Sequence, residues 1–162
     1  EKKSFENLIV TIIGDLSHSR VAQSTAQGLT TMGVDEIRLV SPKQFSLNEN
    51  ISPVCRSLNN VDEGIKNADV VMALRIQHER INATGKEYTT QNYFEEFGLT
   101  HERMKLASPD AIIMHPGPMN RNVEIESSLA DSPKSVILKQ VANGVAVRMA
   151  IIDQLLKSRF KS

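Results

Sequence analysis

Cysteine is nearly missing from this 162-residue chain: Cys55 stands alone, so no disulfide can form within it, and a soluble, reducing, cytoplasmic setting fits best. No apolar run approaches the roughly 18 residues of a membrane-spanning helix, and none resembles the core of a secretory signal. Net charge is lacking as well. The 19 lysines and arginines match 19 aspartates and glutamates, so no overall field draws nucleic acid or an anionic membrane, and neither is expected as a partner. A charged ligand must be caught by a local cluster. No helical histidine pair and no second cysteine supports a metal, so neither metal nor cofactor is expected. Internal repeats and low-complexity tracts are lacking too.

What is present is enough for one domain with a real core: 40% of residues are hydrophobic. The chain opens on Glu1 rather than methionine, with an apolar run from Leu8, which raises the expectation of a piece of something larger. "LIVTIIGD" (8–15) has the β-branched content of a buried strand and breaks at Gly14. "SRVAQSTAQGLTTMG" follows as a helix, with Ser19 as N-cap, Gly33 just past the end, and Val21, Thr25, Leu29 and Met32 at helical spacing. "EIRLVSP" (36–42) reads as a second strand and "VDEGIKNA" (61–68) as a short helix. "DVVMALRIQ" (69–77) reads as a third strand, and "LTHERMKLA" (99–107) as a helix capped by Thr100. "AIIMH" (111–115) is a fourth strand, "SVILKQV" (135–141) a candidate fifth, and residues 143–157 a closing helix striped with Val145, Met149, Ile152 and Leu156. Residues 78–97 read as a long polar loop, of the kind that is functional or mobile.

Strands alternating with helices argue for an α/β fold: a doubly wound, mostly parallel sheet of about five strands with helices on both faces. Such sheets bind ligands at the carboxyl ends of their strands. After the first strand comes "GDLSHSR", ending at Arg20; after the third, Arg75 of "RIQHER"; after the fourth, "HPGPMNR", ending at Arg121; and Lys43 follows the second. Arginine grips carboxylate or phosphate through paired hydrogen bonds, so this convergence reads as an anion site for a dicarboxylate or a phosphorylated small molecule. The competing reading is that nine arginines put a few at strand ends, each paired with a surface acid. His115 reads either as a general acid or base or as an anchor for the proline corner. Arg75 and Glu79 are four apart and pair if the segment turns helical. Cys55 reads as a small apolar filler. "GDLSHSR" carries one glycine where a dinucleotide fingerprint needs three, which counts against a dehydrogenase-type nucleotide domain.

"GDLSHSRVAQS", "ADVVMALRIQHER", "MHPGPMNR" and "NGVAVRMA", in this order, resemble the aspartate-binding half of the aspartate and ornithine carbamoyltransferases, across nearly the whole chain from Leu8 to Leu156. The last two motifs are the most specific. The ornithine enzymes carry His-Cys-Leu-Pro where this chain has His115-Pro116-Gly117-Pro118, which points to aspartate as acceptor. The resemblance implies that Arg20 and Arg75 grip the carboxylates of L-aspartate, with Gln77 as hydrogen-bonding neighbour and Glu79 orienting Arg75. It implies that backbone carbonyls of Pro116, Gly117 and Pro118 face the carbamoyl group and the amine, that the 117–118 bond is cis, and that the loop beginning at His78 closes over substrate. His115 and Arg121 take supporting roles.

The implied reaction is carbamoyl transfer from carbamoyl phosphate to aspartate, in pyrimidine synthesis. The Ser-Thr-Arg-Thr-Arg motif that holds carbamoyl phosphate is not in this sequence, so the resemblance implies a separate N-terminal domain for it and little activity in this chain alone. Implied partners are that domain, a homotrimer of full-length chains, and regulatory or dihydroorotase-like chains. A stand-alone amino-acid-binding or regulatory module on the same fold is the alternative. The closing helix carries Ala146, Val147, Ala150 and Ile151 beside its main stripe, more apolar surface than one sheet face needs, and is expected to pack against the other domain.

Overall fold

A computed structural model describes residues 1–47, 51–76 and 89–159. Five strands form one sheet: β1 (Ile9–Ile13), β2 (Glu36–Val40), β3 (Cys55–Leu58), β4 (Val70–Ala73) and β5 (Ile112–Met114). Every pairing is parallel, in the order β3-β2-β1-β4-β5. Helices α1 (Arg20–Thr31), α2 (Val61–Ile65), α3 (Thr90–Phe97), α4 (His101–Met104), α5 (Ser127–Ala130) and α6 (Ile137–Arg159) connect and follow them, with a 3₁₀ turn at Lys43–Phe45. The expected doubly wound α/β architecture is therefore present.

Strand alternation divides the core between two faces. Val10, Ile12, Val70 and Met72 point to one side, where Ala22 and Ala26 of α1 cover them. Ile13, Val71 and Ile113 point to the other, against Ile65 of α2, Phe97 of α3, Met104 of α4 and Leu129 of α5. Each fully buried aliphatic side chain on these faces contributes about 1.5–3 kcal/mol relative to exposure. Four of the helices start where short polar side chains accept backbone N–H groups: Ser19 from Ala22, Asn60 from Glu63, Thr89 from Asn92 and Thr100 from Arg103. Gly33, just past α1, adopts φ 81°.

Several expectations need correction. "SVILKQV" is not a strand: Ser135 makes one isolated bridge to Ile113, and from Ile137 the chain is already α6. The remaining strand is β3, whose half-exposed "CRSL" at the sheet edge gives no apolar alternation to read. The polar stretch 78–97 is not all loop. Residues 77–88 lie outside the described residues, but Thr90–Phe97 is helical because Tyr93 and Phe97, one turn apart, both enter the core with stacked rings 5.7 Å apart. In α1 the fully buried positions are Ala22 and Ala26, where helix and sheet approach closely, and Leu29 packs partly buried beside them, while Val21 and, just past the helix, Met32 are exposed. The α2, α4 and β4 segments are shorter than the sequence suggests, and α6 is longer at both ends.

The sheet order sets where a ligand can enter. From β1 the chain winds outward to β2 and β3, then returns past β1 to β4 and β5. The reversal falls between β1 and β4. Their carboxyl ends, flanked by that of β5, form the crevice such sheets use for ligands.

Candidate functional site

At the end of β1 both seams continue: Leu74 N–H, just past β4, donates to Ile13 O at 2.8 Å, and Gly14 N–H donates to Val40 O of β2 at 3.0 Å. Gly14 has φ +145°, and a Cβ there would lie 2.8 Å from the Leu74 Cβ. The chain then makes a tight loop. The Asp15 carboxylate, buried at 2% exposure, accepts from the Ser17 hydroxyl at 3.2 Å and the His18 N–H at 3.2 Å, with His18 Nδ1 at 2.9 Å. Leu16 and Ser17 both donate N–H to Phe45 O, and the His18 ring meets Phe45 edge-on. Ser19 then caps α1, which makes Arg20 the first helical residue, exposed on a fixed backbone. A cation at a helix N-terminus opposes the macrodipole. With an anion beside it, the same placement becomes favourable.

At the end of β4, Leu74 and Ile76 are buried while Arg75 between them is exposed, so the strand's alternation turns this guanidinium outward. The guanidinium of neither Arg20 nor Arg75 has a hydrogen-bonding or ion-pairing partner among the described residues. Adjacent strand ends thus each present an uncommitted guanidinium. Arg121 differs from the expected rim group. Its two terminal nitrogens bind both oxygens of Asp131, at 2.6 and 2.8 Å, and it also donates to Ser127 O at 2.9 Å. That pairing raises the pKa of Arg121 and lowers that of Asp131, and ties the segment to α5.

The β5 end supplies the corner. Its Gly117–Pro118 bond is cis and Gly117 has φ +70°, a value that suits glycine. His115 is fully buried. Its N–H donates to Gln140 Oε1 of α6 at 3.0 Å, and its ring Nδ1 accepts from Gly117 N–H at 2.9 Å. Asn120 N–H donates to Glu124 Oε1, and Asn120 Nδ2 donates to Ile76 O at 3.2 Å, bridging the corner to the strand end that carries Arg75. Glu124 Oε1 lies 3.4 Å from His115 Nε2, with both side chains at most 1% exposed. Asp15, Asn120, Glu124 and Gln140 were not legible as site residues. The only hint was an acid wedged between Val123 and Ile125. Gln77 and Glu79 lie outside the described residues.

A cavity of about 490 Å³ lies elsewhere, between the α1 face of the sheet and α6, lined by Val10, Leu29, Met72, Met114 and Val147 among others. No rim arginine and none of Pro116, Gly117 and Pro118 lines it, although Gln140, which accepts the His115 N–H, lies on its wall. The polar groups converge at the strand ends, and the chemistry belongs there.

The family model described as aspartate/ornithine carbamoyltransferase, Asp/Orn binding domain, matches residues 6–155. The chain belongs to this family. The aspartate carbamoyltransferase catalytic subunit of Ruthia magnifica subsp. Calyptogena magnifica is 50% identical over 155 residues, covering 96% of this chain and 48% of that protein. Ornithine carbamoyltransferase from Pyrococcus furiosus superposes with a TM-score of 0.79 at 22% identity, over 92% of this chain and 50% of its own. Aspartate transcarbamoylase from Trypanosoma cruzi, in complex with N-(phosphonacetyl)-L-aspartic acid, gives a TM-score of 0.76 at 23% identity, over 92% of this chain and 49% of its own. At such identities these two structures establish the shared fold. The chain spans about half the length of the relatives it matches.

Proposed function

We propose that this chain is the aspartate-binding half of an aspartate carbamoyltransferase of pyrimidine biosynthesis. Arg20 and Arg75 hold the two carboxylates of L-aspartate, Gln77 hydrogen-bonds beside them, and Glu79 orients Arg75. The amine is directed at the corner formed by Pro116, Gly117 and Pro118, whose backbone carbonyls meet the carbamoyl group. The nitrogen lone pair attacks the carbonyl carbon of carbamoyl phosphate. The tetrahedral intermediate then expels phosphate, and the nitrogen gives up a proton. Positioning two anions in a fixed polar frame supplies most of the acceleration, and no covalent enzyme intermediate is needed. The observation that carries the reading is the pair of uncommitted guanidiniums on adjacent strand ends beside a corner fixed by side-chain hydrogen bonds. Two cations suit a dicarboxylate, whereas the side-chain ammonium of ornithine would be repelled.

Carbamoyl phosphate is held by a second, N-terminal domain in the same polypeptide, and full-length chains assemble as cytoplasmic trimers. The apolar residues of α6 cover part of that second domain: Val145, Val147, Met149, Ile152 and Leu156 are all more than half exposed here. The 162-residue chain alone therefore turns over no carbamoyl phosphate. Calorimetric titration with succinate, aspartate and N-phosphonacetyl-aspartate tests the half-site. Dicarboxylate binding lost in Arg75→Ala, with the phosphonate no tighter than succinate, is the expected result. Absence of dicarboxylate binding both here and in a full-length protein carrying this chain would refute the reading.

A further inference from the structure

The corner contains a fully buried histidine facing a fully buried glutamate, and the hydrogen bonds around them fix where the protons are. The Gly117 N–H can only donate, and it points at His115 Nδ1 from 2.9 Å. Nδ1 must therefore carry a lone pair, which excludes both the imidazolium and the Nδ1–H tautomer. The proton sits on Nε2, and what faces Nε2 at 3.4 Å is Glu124 Oε1. That oxygen already accepts the Asn120 N–H. The second carboxylate oxygen is buried without a hydrogen-bond partner. His115 Nε2 has no hydrogen-bond partner either, so across 3.4 Å the ring N–H and the carboxylate meet as an electrostatic contact, which offsets part of the cost of burying both.

We propose that His115 is held as its neutral Nε2–H tautomer by the Gly117 N–H, with the Glu124 carboxylate facing the ring N–H and steadying the ring as the acceptor that sets the Gly117 amide, so that Glu124 is a positioning residue and His115 transfers no proton in the reaction. Glu124 acts in two directions. Through His115 it fixes the plane of the 116–117 peptide, whose carbonyl belongs to the corner. Through Asn120, which reaches Ile76 O at 3.2 Å, it ties that corner to the strand end bearing Arg75. Its own carbonyl accepts the Leu99 N–H at 3.0 Å, which anchors the acid to the segment between α3 and α4. One side chain thus holds the two halves of the rim in register.

The catalytic part of this inference rests on the carbamoyl-transfer reading; the tautomer does not, and two measurements keep them apart. In this chain labelled with ¹⁵N-histidine, the His115 ring should show an acceptor-type Nδ1 and a protonated Nε2 near neutral pH. An imidazolium or an Nδ1–H signature overturns the proposal whatever the protein catalyses. In a full-length transferase carrying this chain, His115→Asn keeps an acceptor where Nδ1 stood, whereas His115→Gln keeps only a donor toward Glu124. His115→Asn should stay within about threefold of the parent kcat, while His115→Gln loses about tenfold or more with KM for aspartate little changed. Glu124→Gln, which retains an acceptor, should fall less than Glu124→Leu. Equal loss in both His115 variants would mark His115 as a proton donor or acceptor and overturn the proposal. A parent without transferase activity would instead refute the functional reading and leave the tautomer to be decided by the spectrum.

Discussion

Replacing Gly14 with alanine should damage this fold out of proportion to one methyl group. Gly14 follows β1, its N–H bonded to Val40 O of β2 and its Cα close against Leu74 just past β4, between the strand ends that carry the candidate aspartate site. Its φ of +145° is a conformation that side chains rarely adopt, and holding alanine there costs about 1–3 kcal/mol. The new Cβ would also meet the Leu74 Cβ at 2.8 Å and the Leu74 carbonyl oxygen at 3.2 Å. Neither is the far end of a flexible side chain, so a strand must shift, at about 1–3 kcal/mol more. Together these give roughly 2–6 kcal/mol. Two controls separate the causes. Gly33 has φ +81° with nothing within 4 Å of a Cβ, so its alanine variant should lose about 1 kcal/mol from conformation alone. Gly28, inside α1 with equally open space, should gain about 0.5–1 kcal/mol. Urea unfolding of the three variants reads these differences from midpoint and slope. A Gly14→Ala loss no larger than that of Gly33→Ala would refute the contact argument. Succinate binding should weaken in parallel, because the shift moves the rim arginines apart.

The Glu36 carboxylate receives Arg38 Nε at 3.0 Å and a terminal nitrogen at 3.1 Å, which holds its pKa below the ordinary value of 4.5. Its contribution is therefore complete above the ordinary value and fades as pH falls through the folded one. Glu36→Gln should cost up to about 1 kcal/mol at neutral pH, with the gap closing in acid, as urea midpoints across pH will show. Burial pushes the Cys55 thiol up from its ordinary pKa, so iodoacetamide at mildly alkaline pH should alkylate it more slowly than glutathione, until urea removes the difference. On α6, serine at Val145, Met149, Ile152 and Leu156 together should remove most binding of a hydrophobic dye while leaving the urea midpoint within about 0.5 kcal/mol of the parent, since surface positions contribute little within this chain. A large destabilisation would show that this stretch of α6, like its first turn, packs on this domain.

The central strands were readable because they are buried on both faces. Five consecutive apolar or β-branched residues in β1, and four in β4, admit few other readings. The edge strand β3 had no such signature: Arg56 and Ser57 are exposed, and only pairing with β2 makes the segment a strand. The opposite error at 135–141 has the same root. "SVILKQV" has strand-like composition, but only Ile137 in the α6 part of that run is buried, and helical continuity on to Arg159 outweighs local β preference. Tyr93 and Phe97 were hidden by charged and polar neighbours, although their spacing is that of one helical turn.

At the site, legibility followed sequence distance. Arginines after strands can be recognised singly, because guanidinium chemistry needs no neighbour to be suggestive, and the corner declares itself through two prolines and a glycine in a row. What holds these groups in place is written across the chain instead. Gln140 reaches the backbone of His115 from 25 residues away, and Asn120 reaches Ile76 from 44. Neither has a local pattern to mark it. Even Glu124, four residues from the backbone N–H it accepts, looks in sequence like a surface acid, and becomes significant only when the fold buries it against His115. The same physics explains why Arg121, equally visible beside the corner, is not a rim cation. The Asp131 that neutralises it sits ten residues on, beyond α5, and only the turn of the chain brings the two together.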